Sequence, residues 1–148
     1  MNQIQEEISI RGKNQHQLLE LLKEVQDRFG YLSGEALVEV ARVLGLSIGE
    51  VYGVASFYSF LSTKPMGKNV IRVCKSVPCF LKNSAPIIES VKKELGINPG
   101  ETTPDGRFSF ELASCIGACE KAPAMMINHD VHGDLTPEKI AQILKEYR

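Results

Sequence analysis

The chain has four cysteines, arranged as Cys74-x4-Cys79 and Cys115-x3-Cys119, with 35 residues between the two pairs. Taken together they read as one cage. Four thiolates can hold a 2Fe-2S cluster with two sulfurs on each iron, and such a centre exchanges one electron at a time. Neither pair can do this alone. A structural zinc site would also use four thiolates, but its pairs are usually two to four residues apart, and the wider x4 spacing suits a diamond-shaped cluster at least as well. A dithiol oxidoreductase ranks third, because its usual Cys-x-x-Cys signature is missing here. In a reducing cytoplasm these cysteines are poor candidates for structural disulfides, which leaves metal binding or redox chemistry.

The histidines do not complete a better site. His129 and His132 follow the second pair as Cys-x3-Cys-x9-His-x2-His, a spacing that is wrong for a zinc finger and loose for a Rieske-type centre. It would also leave Cys74 and Cys79 unexplained. Both histidines are therefore expected on the surface, in a loop after a strand, and His16 at an exposed helix position. No G-x-G-x-x-G, G-x-x-x-x-G-K-[ST] or G-x-S-x-G motif occurs, so no familiar loop for a dinucleotide, a triphosphate or a serine nucleophile is present. Gly45-x3-Gly49-x3-Gly53 is only a helix-packing pattern.

Composition points the same way. With 148 residues, 43% of them hydrophobic, the chain can bury one good core, or a compact core plus a small helical unit. Seventeen basic residues against 18 acidic leave a net charge of -1, so neither nucleic acid nor a membrane surface is an expected partner. The first residues carry Glu6 and Glu7 and lack both a signal-length apolar run and an arginine-rich presequence, which implies a cytoplasmic protein.

The elements that must position the cysteines can be read from periodicity. Leu18, Leu19, Leu21, Leu22, Val25 and Phe29 predict an amphipathic helix over residues 14–29, capped by Asn14 and stopped by Gly30. Ser33 opens a second helix through Leu37, Val38, Val40, Ala41 and Leu44, with Gly45 as its stop. Ser47-x-x-Glu50 is a capping box that starts a third helix through VYGVASFYSFL. That helix is apolar on nearly every face and so is expected to be largely covered, as the core of the helical unit or as a packing surface for a second domain or partner.

Pro65 and Gly67 mark a connection, giving an N-terminal helical bundle over residues 1–64 and a second domain over 65–148. In the latter, Val70 to Val73 is a strand leading into Cys74, Ser84 to Leu95 a helix, Arg107 to Leu112 and Ala124 to Ile127 strands bracketing the second cysteine pair, and Thr136-Pro137 the start of a last helix burying Ile140 and Ile143. The predicted order is β-α-β-β-α, an α/β domain. Cys79 falls in the loop after the first strand and Cys115 and Cys119 in the loop after the second, so both pairs can meet at one sheet edge. Gly117 gives that loop the freedom to aim amide N–H groups at sulfur.

These residues resemble one family, the thioredoxin-like 2Fe-2S ferredoxin subunit of NADH dehydrogenases, known from the peripheral arm of respiratory complex I. The landmarks are Phe29-Gly-Tyr31, Val51-Tyr-Gly-Val-Ala-Ser-Phe-Tyr58, Pro65-x-Gly67-Lys68, the two cysteine pairs, Ala122-Pro123 and Leu135-Thr-Pro137. The resemblance covers most of the chain. It implies a thioredoxin-like domain in which Cys74, Cys79, Cys115 and Cys119 all ligate one 2Fe-2S cluster, a pair per iron. It also implies a larger flavin-containing, NAD(P)H-binding partner that carries the FMN and the nicotinamide, and a cis peptide at Pro123.

The same module recurs in soluble NAD(P)-linked and electron-bifurcating hydrogenases and in NAD-linked formate dehydrogenases. The shortness of the chain favours a soluble hydrogenase or related bifurcating complex over complex I. Two positions depart from the family pattern. Lys82-Asn83-Ser84 stands where a glycine often follows the second cysteine, and Glu120 stands where a small residue usually follows the fourth. Glu120 is expected to lower the potential of a cluster beside it, offset by Lys75 and Lys121, unless it is simply a solvated surface charge.

Overall fold

The computed structural model describes residues 17–148. Asn14 and His16, singled out above, lie outside the described residues. The chain divides into two compact units, one ending at Pro65 and the other spanning Met66–Arg148.

In the first unit, α1 (Leu18–Phe29), α2 (Gly34–Leu44) and α3 (Ile48–Phe57) start and stop where local chemistry directs. Ser33 Oγ accepts from the Ala36 N–H at 3.2 Å. Gly30 and Gly45 close α1 and α2 in the left-handed conformation. At α3 the capping box is complete: the Glu50 N–H donates to Ser47 Oγ at 3.2 Å and the Ser47 N–H donates to Glu50 Oε2 at 2.9 Å. The Ser47 N–H, and after it the Ser47 hydroxyl donating to Oε2 at 2.7 Å, hold the Glu50 carboxyl below its ordinary range. The apolar stripes of the three helices meet in a core of Leu22, Val25, Ala36, Leu37, Val40, Leu44, Val51 and Ala55. Gln26 fastens the following segment to α1, donating to the Phe60 carbonyl at 2.7 Å and accepting from the Ser62 N–H at 2.6 Å.

The core of the helical unit covers only one stripe of α3. Only Val51 and Ala55, one turn apart, are buried, while Ile48, Tyr52, Phe57, Tyr58 and Phe60 remain exposed. Two partner helices can cover one stripe of a third, and this helix is apolar on more than one stripe.

The second unit is a four-stranded mixed sheet, ordered β2-β1-β3-β4, with β1 Asn69–Cys74, β2 Phe108–Ala113, β3 Met125–Ile127 and β4 Asp130–His132. β1 and β2 run parallel from Asn69↔Phe108 to Cys74↔Ala113, and the other pairings are antiparallel. A parallel pair needs a crossover, which here contains the short α4 (Val77–Leu81) and then α5 (Ser84–Leu95). The last helix, α6 (Pro137–Glu146), packs beside α5. Alternation along the strands sends Ile71, Val73, Phe108, Phe110, Met125 and Ile127 to one face, where Ile87 and Val91 of α5 and Ile140 and Leu144 of α6 complete the core. Each such burial contributes roughly 1.5–3 kcal/mol. Behind Cys74 on β1, the buried Arg72 pairs with Glu111 of β2 at 3.3 Å.

β4 and the head of α6 differ from the sequence expectation. A fourth strand exists, so His132 lies on β4 instead of in a loop, half-buried, with Nε2 3.1 Å from the Tyr147 hydroxyl. His129, by contrast, sits exposed in the β3–β4 turn. At the head of α6 Thr136 occupies the cap position, but its side chain makes no capping bond to the helix backbone.

Gly67, one of the landmark residues, is explained by close approach. A Cβ there would lie 2.8 Å from the Phe108 carbonyl carbon, and the Gly67 N–H donates to the buried Ser109 Oγ at 2.7 Å. Overpacking of this kind costs about 1–3 kcal/mol. Gly67→Ala is expected to lower the denaturant midpoint by a corresponding amount with an unchanged m-value, as urea titration would show. An unchanged midpoint would mean that the β2 backbone yields freely.

Candidate metal centre

The site grows from the carboxyl ends of the two parallel strands. β1 ends on Cys74, whose N–H donates to the Ala124 carbonyl at 3.1 Å, and the next residue, Lys75, donates to the Ala113 carbonyl at 2.9 Å. Cys74 is thereby tied to β2 on one side and to the approach of β3 on the other. Pro78 in the first turn of α4 suits a helix start, and Cys79 sits on the inner side of that helix. Sequence reasoning puts Cys79 in a loop. A five-residue helix leaves too little periodicity to be read.

The second pair leaves the end of β2 after Ala113. Cys115 lies in the turn, and Cys119 opens a 3-10 turn through Lys121. Gly117, at φ +79°, reverses the loop so that its N–H donates to Cys115 Sγ at 3.4 Å. The expectation of an amide aimed at sulfur is met at this residue. The loop's exit carries a cis Ala122–Pro123 peptide. Two strap bonds hold it, from the Asp134 N–H to the Lys121 carbonyl at 2.7 Å and from the Leu135 N–H to the Pro123 carbonyl at 3.1 Å.

All four sequence-predicted thiols are brought to this end of the sheet, and all are free cysteines. Within each pair the side chains are in contact, Cys74 with Cys79 and Cys115 with Cys119; across the pairs, Cys119 interacts electrostatically with both Cys74 and Cys79. Among the described residues no three His, Cys, Asp or Glu side chains converge on one point as a mononuclear site requires. The cysteines gather as two pairs. Its burial is uneven: Cys74 and Cys79 are buried with Ala122 and beside Ile116, whereas Cys115 and Cys119 are exposed.

Desolvation first, then the hydrogen bond with Cys74, pushes the Cys79 thiol above its ordinary range. The Cys119 thiol is raised as well, by desolvation and then by Cys115, with smaller contributions from Cys74 and Glu120. Crowded thiols resist ionising because each thiolate repels the next. A cation among them reverses that cost and expels the protons. Four soft donors in two contacting pairs, with an amide hydrogen on one sulfur, fit a binuclear iron-sulfur group.

Comparison with known proteins agrees with this chemistry. The chain is 41% identical over 129 residues to the E subunit of NADH-quinone oxidoreductase from Pseudomonas aeruginosa, covering 87% of this chain and 78% of that one. It is 40% identical over 139 residues to the HndA subunit of the NADP-reducing hydrogenase from Solidesulfovibrio fructosivorans, covering 94% and 81%. A crystal structure of NAD+-reducing [NiFe]-hydrogenase in the air-oxidized state superposes with a TM-score of 0.77 at 26% identity, over 88% of this chain and 22% of that chain. The profile of the thioredoxin-like [2Fe-2S] ferredoxins matches residues 3–148, and the chain belongs to that family.

Proposed function

We propose that Cys74, Cys79, Cys115 and Cys119 hold one 2Fe-2S cluster, a pair on each iron, and that the chain is the electron-transfer subunit of a cytoplasmic NAD(P)H-linked oxidoreductase. The observation that carries this is the arrangement of four thiols as two contacting pairs at one sheet edge. When bound, the cluster supplies exchange of one electron at a time. The protein's part is to fix the sulfurs on two rigid strand ends, to donate the Gly117 N–H to Cys115 Sγ, and to leave one pair open to a partner. The partner we infer is a larger flavin-containing subunit that binds NAD(P)H and splits its hydride into single electrons. No helix among the described residues is long and apolar enough to cross a membrane.

Within that reading we place the chain with the soluble hydrogenases, because the hydrogenase relative aligns over 139 residues and the hydrogenase structure shares the fold. A second reading, the equivalent subunit of NADH-quinone oxidoreductase, is favoured by the 43% identity to the E subunit of that enzyme from Escherichia coli (strain K12) over 130 residues. The two differ in the complex served and not in the chemistry of this chain.

The purified protein is expected to be coloured, with about two irons and about two acid-labile sulfides per chain and an EPR signal on reduction. Cys115→Ser should weaken or shift that signal. Stoichiometric zinc in a colourless sample would show a structural adaptor instead, and spectra unchanged in every single-cysteine variant would remove the ligand assignment. Glu120 is exposed and flanked by exposed Lys121, so its charge is partly screened. Glu120→Gln should move the midpoint potential positive by no more than about 59 mV, the value of a tenfold change in a one-electron ratio. A shift in the negative direction, or none, would overturn the tuning role of Glu120.

A further inference from the structure

The two thiol pairs share one property, the contact within each pair, and differ in access. Cys79 is hydrogen-bonded with Cys74 and Cys119 with Cys115, whereas Cys119 reaches Cys74 and Cys79 only electrostatically. A disulfide requires its sulfurs to close to about 2.05 Å, so a thiol already in contact is the favoured partner. For each cysteine that partner is the other member of its own pair.

Access separates the pairs. Cys74 and Cys79 are 2% and 1% exposed, and both sit on regular structure, one on the last rung of β1 and the other on α4. The Cys74 N–H is also committed to the Ala124 carbonyl. Cys115 and Cys119 are exposed, on a loop outside the strand ladder that Gly117 folds back at φ +79°. Oxidants reach exposed thiols first, and a loop can shift its backbone slightly without breaking a ladder bond. Both conditions for closing a disulfide are met at one pair and neither at the other.

We propose that Cys115 and Cys119 are a redox-modification site, closed as an intramolecular disulfide by a low-molecular-weight disulfide such as oxidised glutathione when the chain carries no metal, while Cys74 and Cys79 remain thiols. The thiolate of one exposed cysteine attacks a sulfur of the oxidant and releases one glutathione thiolate. The other cysteine then attacks the protein sulfur of that mixed disulfide and releases the second glutathione. Two protein thiols lose two electrons and two protons, and one oxidised glutathione becomes two reduced ones. Closure withdraws two of four sulfurs, so cluster loading stops until a thiol reductant reopens the pair. That consequence rests on the cluster reading above; the disulfide itself does not.

The test treats the full chain, stripped of metal by a chelator without air, with oxidised glutathione, then alkylates the remaining thiols after unfolding and maps them by mass spectrometry. Trypsin leaves Cys115 and Cys119 on one peptide, Phe108–Lys121, and puts Cys74 and Cys79 on others. That peptide is expected to be unalkylated and two hydrogens lighter, with Cys74 and Cys79 alkylated. Cys119→Ser should stop at one glutathione on Cys115, and Cys79→Ser should close the disulfide as the wild type does. A disulfide between Cys74 and Cys79 or across the pairs in equal or greater yield, a stable mixed disulfide on the wild type, or no oxidation at all overturns the site. The oxidised chain, mapped again afterwards, should take up ferrous iron and sulfide at least tenfold less than the same sample first treated with dithiothreitol. Equal uptake with the disulfide still closed overturns the block on loading and leaves the modification site standing. No uptake in either sample overturns the cluster reading instead.

Discussion

The parallel pairing of β1 with β2 is the constraint on which the rest depends. Parallel strands deliver their carboxyl ends to the same edge, and the rung Cys74↔Ala113 is the last before both chains turn away. One cysteine is on that rung and the next pair begins two residues beyond it. Were the strands antiparallel, the two pairs would leave from opposite edges, about 17–20 Å apart for strands of this length. The crossover through α4 and α5 is what parallel pairing demands, and it carries the second ligand candidate, Cys79, back over the end of β1.

The remainder of the unit stops this edge from moving. The core on one face of the sheet locks β1 between β2 and β3, and the N–H groups of Cys74 and Lys75 are committed to those neighbours. The second loop has less regular structure and is held instead by the Gly117 reversal at its tip and by the strap from Asp134 and Leu135 at its exit. The Cys79 and Cys119 thiols, raised first by desolvation, hold their protons until a bound cation displaces them. The ion pair of buried Arg72 with half-buried Glu111, on the same two strands, adds a polar restraint to their register.

Local signals in the sequence are readable where a few neighbouring residues decide the outcome. Ser33 and the Ser47–Glu50 box start their helices, Gly30 and Gly45 end theirs, and α5 runs over Ser84–Leu95 as expected. Reading fails where an element is too short to repeat. α4 has five residues and β4 three, so sequence periodicity assigns Cys79 and His132 to loops. At α3 hydrophobicity on every face does not tell which residues the helical unit itself buries; Val51 and Ala55 go inside and the aromatic residues stay outside its core.

What the sequence determined by itself was the donor set: four cysteines, paired by spacings that suit two sulfurs on each of two irons, with a glycine to bend one loop. Those are properties of residue type and of separations of a few positions. What only the tertiary structure decided was the asymmetry of the site, with Cys74 and Cys79 buried and Cys115 and Cys119 open. The physical reason is range. Capping and turn chemistry act across three or four residues, whereas the register of β1 on β2 and the burial of each sulfur are set by contacts between residues about 40 positions apart, which no local pattern encodes.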